Sequence, residues 1–204
     1  MGVADRKERE KEEMKAKILG SARKLFLENG FEKTSIRGIA EEIEYSPGTI
    51  YLYFKDKNDL LYALHQQSFG GLMQSFSNLL TIQDPFERLI IMGKSYLQFA
   101  FDNPELYDLM FMLSAPIEAL ECCENMWDDG RKSFEMLKTV IVECQTAGYF
   151  GNNNVDDLSL AIWSTVHGLA SLHLRKRTMM FEPQERIPRL NNAFEMLITM
   201  LKRL

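Results

Sequence analysis

At 204 residues with 46% apolar side chains, the chain can bury a substantial core, and no apolar run approaches the roughly 18 residues a membrane span requires. The formal charge of −5 argues against a nucleic-acid partner only until it is located: the first 60 residues hold 12 basic and 12 acidic side chains, so the whole acidic excess follows them. Three cysteines, Cys122, Cys123 and Cys144, are too few and too unevenly spaced for a disulfide scaffold or a zinc site. The vicinal pair reads either as a thiol switch or as small apolar side chains on helices.

The mixed-charge run Asp5 to Glu13 has no apolar stretch behind it, which is the wrong pattern for a secretory leader. A charged extension over 1–13 and a cytoplasmic location are the expectations. Apolar spacing is helical almost everywhere beyond it, and no alternating strand pattern occurs. The first helix carries Met14, Ile18, Ala22, Leu25 and Phe26 on one stripe and ends at Asn29-Gly30. Thr34 or Ser35 caps a short helix holding Ile36, Ile39, Ala40 and Ile43. Ser46 caps the next, with Pro47 at its first position, where a missing N–H costs nothing. A longer helix follows from about Lys57 to Leu79, with Gly70-Gly71 as a weak point or bend.

Asp84-Pro85 opens another helix, with Leu89, Met92, Tyr96 and Phe99 on its apolar side. Asn103-Pro104 breaks and restarts the chain, and Pro116 breaks it again. The spacing then predicts helices near Glu118–Ala147, Val155–Arg177 and Glu185–Arg203. The expected fold is therefore all-α, with about nine helices. A three-helix helix-turn-helix domain over 14–60 precedes a larger helical body over 61–204.

Residues 31–64 carry the chemistry. Ile50 and Phe54 are four apart and face inward, with Ile39 and Ile43 as partners, which leaves Ser46, Gly48, Thr49, Tyr51, Leu52 and Tyr53 outward. The hydroxyls can bond phosphate oxygens or base edges, and Gly48 permits close approach. Leu52 suits a thymine methyl, while Arg37 suits a guanine edge or a phosphate. Lys55 and Lys57 supply charge that would make binding depend on salt. Either tyrosine alone reads equally well as a half-buried packing residue.

Residues 14–64 resemble the DNA-binding domain of TetR-family transcriptional regulators. The resemblance runs through Ile18, Ala22, Leu25-Phe26, Gly30-Phe31, Thr34-Ser35-Ile36, Ile39-Ala40, Ser46, Gly48-Thr49-Ile50-Tyr51, Tyr53-Phe54-Lys55, Lys57 and Leu60-Leu61. It implies phosphate or base contacts at Thr34, Arg37, Thr49, Tyr51, Tyr53 and Lys57. Together with the residue reading, the expected DNA-facing set is Thr34, Ser35, Arg37, Ser46, Pro47, Gly48, Thr49, Tyr51, Leu52, Tyr53, Lys55 and Lys57. The resemblance also implies a homodimer through the last two helices, a near-palindromic double-stranded operator, and a repressor released by a small-molecule effector that displaces the first and fourth helices. Pro47-Gly48 departs from a polar reading helix, since two side chains there offer no hydrogen bonds.

In such a body an apolar effector would be lined by Phe99, Met110, Phe111, Trp127, Phe134, Trp163 and His167; at helical spacing the same residues also read as ordinary core. The segment from Trp163 through His167-Gly168 to Leu172 resembles a pattern on the penultimate helix of some TetR relatives. Gly168 would permit close helix approach there, and His167 would bond either an effector or a buried partner. His167 and His173 are six apart, on different helix faces, so no metal pair is expected, nor any cofactor. No phosphate loop, nucleophile elbow or His-Glu-x-x-His sequence is present, so catalysis is not expected. A TetR-like adaptor acting through a protein partner is the competing reading.

Overall fold

The computed structural model describes residues 3–113 and 128–204. Among the described residues there are nine α-helices and no strand. They are α1 (Val3–Asn29), α2 (Ile36–Glu42), α3 (Pro47–Tyr51), α4 (Lys57–Ser75), α5 (Pro85–Asp102), α6 (Pro104–Phe111), α7 (Asp128–Thr146), α8 (Val155–Leu174) and α9 (Arg186–Leu201). The chain separates into two compact units: residues Met1–Phe69 with Glu105–Asp128, and Gly70–Pro104 with Asp129–Leu204. No described helix is long and apolar enough to cross a membrane.

The expected helix ends are set by local chemistry. Gly30 takes φ +83°, a conformation that costs glycine little, and its N–H closes α1 on the Phe26 carbonyl at 3.0 Å. Ser35, not Thr34, caps α2: its Oγ accepts from the Gly38 N–H at 3.1 Å. Ser46 caps α3 with Pro47 inside its first turn, and Asp84 caps α5 in the same way. Asp56 Oδ1 accepts from the Asp59 N–H at the start of α4, while Asp59 Oδ2 reaches back to the Lys55 N–H.

Other bounds differ from the sequence expectation. The charged run is not separate from α1, which is helical from Val3; Arg6–Glu10 and Lys15–Glu12 pair along it at 2.7 and 2.9 Å. α4 passes through Gly70-Gly71 without ending and stops at Ser75, followed by a 3-10 turn over Leu79–Thr81. The boundary between the two units falls at Gly70. The expected break at Pro116, the first part of the helix placed from Glu118, and Cys122, Cys123 and Trp127 lie outside the described residues.

The core of the first unit joins Ile18, Ala22 and Phe26 of α1 to Ile39, Ala40 and Ile43, then to Ile50 and Phe54, Leu60, Leu61 and Leu64 of α4, and Leu109 of α6. In the second unit, α5 packs on α8 and α8 on α9. A Cβ added at Gly93 of α5 would lie 2.7 and 2.8 Å from two ring atoms of Phe194 on α9. Within the protomer, the close helix approach falls at Gly93. A Cβ at Gly168 meets nothing within 4 Å. Arg88 clamps the far side of α5: its guanidinium bonds the Ile82 carbonyl and pairs with Glu143 of α7. Cys144, beside that clamp, is buried, and burial chiefly raises its thiol to about 12, so it packs as an inert apolar side chain.

Candidate nucleic-acid interface

Two short helices and a tight turn build the site. After α2, Glu44 adopts φ +61°, unusual for a residue with a Cβ, and the Tyr45 N–H donates to the Ala40 carbonyl at 2.9 Å. That turn redirects the chain into α3, whose Ile50 is fully buried while Phe54 just beyond it is nearly so. With the inner side of α3 spent on Ile50, Tyr51 and Leu52 stand in solvent at 57% and 82% exposure. Such exposure of adjacent large apolar side chains has no packing rationale within the unit.

Most of the expected DNA-facing residues share this exposed region. Ser35, Arg37, Ser46, Pro47, Gly48 and Lys55 are exposed, and Thr49 is half-buried. Ser46 and Thr49 hydroxyls lie 3.1 Å apart, so the cap and the outward hydroxyl are one hydrogen-bonded pair. Arg37 Nε is held by Glu41 at 2.8 Å one helical turn on, an exposed pair that a phosphate can displace. Tyr53 is half-buried and packs against the core, in keeping with an apolar body and a polar tip.

Thr34 and Lys57 are placed otherwise. Thr34 is 5% exposed, and its hydroxyl lies 2.9 Å from the Gly30 carbonyl and 3.0 Å from that of Leu25. The expected phosphate contact is not open to that side chain, which instead satisfies carbonyls at the end of α1. Lys57 Nζ donates to the Phe31 carbonyl at 2.8 Å and lies 4.2 Å from the centre of the Phe31 ring. Tyr45, exposed under the Lys17 ammonium at 4.8 Å, extends the aromatic and basic surface beyond the expected set.

The residues expected to line an effector site do not form one group. Met110 and Phe111 belong to the first unit, where Phe111 meets Phe69 edge-on at 5.9 Å and Tyr107 at 5.2 Å. Phe134, Trp163 and His167 come together in the second unit, with ring centres 6.0 Å apart for the first two and 5.6 Å for the last two. Phe99 is buried on α5. Tyr96, expected only on the apolar side of its helix, completes the second group: its hydroxyl lies 2.9 Å from His167 Nδ1. Burial lowers the His167 pKa, so the ring is neutral at pH 7. His173 turns instead to Phe101 at 4.6 Å, away from His167's partners.

Comparison with known proteins agrees with this geometry. Residues 18–64 match the family model for bacterial regulatory proteins of the tetR family, and residues 89–201 match that for the tetracyclin repressor-like C-terminal domain. Two Staphylococcus aureus proteins, the HTH-type transcriptional regulators SAB2452 and SAUSA300_2515, are 33% and 34% identical over 95 residues. Those matches cover 46% of this chain and 51% of each relative, so the chain spans about half the length of the curated relatives it matches. Among solved structures, the TetR family transcriptional regulator PfmR from Thermus thermophilus superposes with a TM-score of 0.67 at 22% identity, covering 91% of this chain and 97% of that one. The regulator FadR from Bacillus subtilis, solved in complex with stearoyl-CoA, gives 0.71 at 16% identity, covering 90% and 97%. At those identities the superpositions show the fold. One family model alone spans more than half of the sequence, and the chain belongs to the TetR family of bacterial transcriptional regulators.

Proposed function

We propose that this chain is a sequence-specific DNA-binding repressor, active as a homodimer in the cytoplasm and released from a near-palindromic operator by a largely apolar effector. The observation that carries the reading is α3: its inner side is anchored by Ile50 while Tyr51 and Leu52 are left in water beside exposed Ser46, Gly48 and Lys55. Such a helix reads base edges with its outward residues while the flanking charge and hydroxyls grip phosphates.

The dimer reading is supported by the outer faces of α8 and α9. From Leu158 to Leu174 α8 contains no Asp, Glu, Lys or Arg, yet Leu160 and Leu172 are exposed; on α9, Met196 and Met200 are exposed one turn apart. Four large apolar side chains on two adjacent helices suit burial against a second copy. The effector reading is supported by the aromatic side chains gathered around the hydrogen-bonded Tyr96–His167 pair. The FadR structure with stearoyl-CoA gives a precedent in this fold for a ligand with a long apolar chain.

Two neighbouring substitutions test the DNA reading. Leu52→Ala is expected to change stability by no more than about 0.5 kcal/mol, because the side chain packs on nothing, and to weaken operator binding selected from genomic DNA. Ile50→Ala is expected to cost about 3 kcal/mol and unfold the reading head. Undiminished DNA binding by the folded double variant Tyr51→Ala/Leu52→Ala, or binding indifferent to salt, would refute the reading.

A further inference from the structure

We infer that Lys17 of α1, held over the Tyr45 ring, is a further phosphate contact of the reading head, made from outside the α2–α3 pair. That role rests on the DNA-binding reading above and extends its contact set. Tyr45 directly precedes Ser46, the cap of α3, and is 42% exposed. The turn at Glu44 and the bond from the Tyr45 N–H to the Ala40 carbonyl fix its backbone there. Lys17 is exposed too, and its ammonium lies 4.8 Å from the centre of the Tyr45 ring. Along α1, Arg6, Arg9, Lys11, Lys15, Arg23 and Lys24 each pair with a carboxylate at 2.6–3.7 Å. Lys17 has neither a carboxylate nor a hydrogen-bond acceptor among the described residues; the ring is its one neighbour of that kind.

Its place on α1 leaves Lys17 open to an anion. Met14, Ile18 and Ala22 form the inward stripe of that helix, with Ile18 and Ala22 fully buried. At about 100° per residue, Lys15 and Lys17 flank the stripe on opposite sides. Lys15 is taken by Glu12 at 2.9 Å, whereas Lys17 leans towards the cap end of α3. A helix-turn-helix lays its reading helix in the major groove, and the elements beside that helix cross the sugar-phosphate backbone. An ammonium over an aromatic face keeps its N–H donors, because the ring balances charge without accepting along their directions. A compact charge on a flexible stem suits a phosphate oxygen better than the fixed donor and acceptor pattern of a base edge. The Tyr45 ring restrains that stem before DNA arrives, so less side-chain entropy is lost on binding.

Salt dependence and chemical protection test this contact in the full chain. Binding to a random-sequence duplex of about 30 base pairs, long enough for two half-sites, would be measured from low to physiological KCl. Each variant is first shown to be folded by circular dichroism. Lys17→Met keeps the apolar stem and removes the charge. It is expected to flatten the slope of log K against log salt by about 0.9 per engaged subunit and to weaken binding severalfold whatever the sequence. Lys17→Arg should restore the wild-type slope. Lys138→Met removes the same charge from α7, where that lysine pairs with Glu135 and Asp156, and should leave the slope unchanged. Tyr45→Phe keeps the ring and should bind like the wild type. Tyr45→Ala should lose roughly threefold in affinity at unchanged slope. An unchanged slope for Lys17→Met overturns the inference, as does equal flattening by Lys138→Met, which would make the effect one of net charge. Full affinity in Tyr45→Ala overturns the role of the ring. Acetylation of the wild-type chain, read by mass spectrometry, needs no variant. Lys17 should react quickly in the free chain and slowly with the duplex bound; a rate that the duplex leaves unchanged overturns the contact. A wild-type chain that binds no duplex at any salt sinks the DNA reading itself and this contact with it, which is a distinct result.

Discussion

The Tyr96 hydroxyl and His167 Nδ1 stand 2.9 Å apart, joining α5 to α8 across 71 residues of sequence inside an otherwise aromatic group. A hydrogen-bonded pair among aromatic side chains is costly to break and gives that group a directional feature. Burial of the ring disfavours its charged form.

A double-mutant cycle measures what this pair contributes. Tyr96→Phe and His167→Phe are each expected to destabilise the fold by about 1 kcal/mol, with a coupling of about 1 kcal/mol in the double variant. Urea unfolding of the four proteins reads the result. Strict additivity would show that the two groups do not interact in solution.

Two glycines inside helices have opposite expectations. Gly93→Ala forces a methyl group against the Phe194 ring and is expected to destabilise by about 2 kcal/mol. Gly168→Ala enters open space and restricts the unfolded chain, so the protomer should gain roughly 0.5–1 kcal/mol. Because Gly168 lies on the same side of α8 as Ser164 and Leu172 at four-residue steps, the gain should appear at low protein concentration and shrink where dimers form. Chemical denaturation at two protein concentrations tests both.

Acid should destabilise the first unit through His65. This side chain is buried on α4; its Nδ1 has no hydrogen-bond partner among the described residues, and burial pushes its pKa down to about 4 from 6.5. Between those values the unfolded chain binds the proton and the folded chain does not, so stability is full above about pH 6.5 and is lost as pH falls towards 4. The loss from His65 alone is bounded at about 3.4 kcal/mol, from roughly 1.36 kcal/mol per pKa unit over the shift from 6.5 to about 4. His167 and His173 are lowered by burial too and act in the same direction. Unfolding at about pH 7.5 and about pH 4.5, on either side of the histidine range, should show a smaller pH effect for His65→Phe than for the wild type. An equal effect in both would exclude His65 as its source.

Helix ends are legible in the sequence wherever a cap decides them. Ser46-Pro47, Asp84-Pro85 and Asn29-Gly30 act within one turn of chain, and each side-chain or backbone requirement can be read from neighbours three or four residues away. The inward set of Ile39, Ile43, Ile50 and Phe54 is equally legible, because helical periodicity alone separates it from Tyr51 and Leu52. Thr34 shows where local reading stops. Beside Ser35 it is an equal candidate for the cap, and only the position of the Leu25 and Gly30 carbonyls turns its hydroxyl inward.

From its sequence the chain determines an all-α protein with a helix-turn-helix near its start, since periodicity, capping and the distribution of charge are properties of short segments. Tertiary structure alone decided that Gly93 is the point of close approach within the protomer, that Tyr96 faces His167, and that Lys57 holds Phe31 and Glu32. Each of these relations joins residues at least 25 apart or depends on which side chain lies across a helix pair. The physical reason is that a helical residue's face is set locally, whereas what meets that face is set by packing of the whole unit.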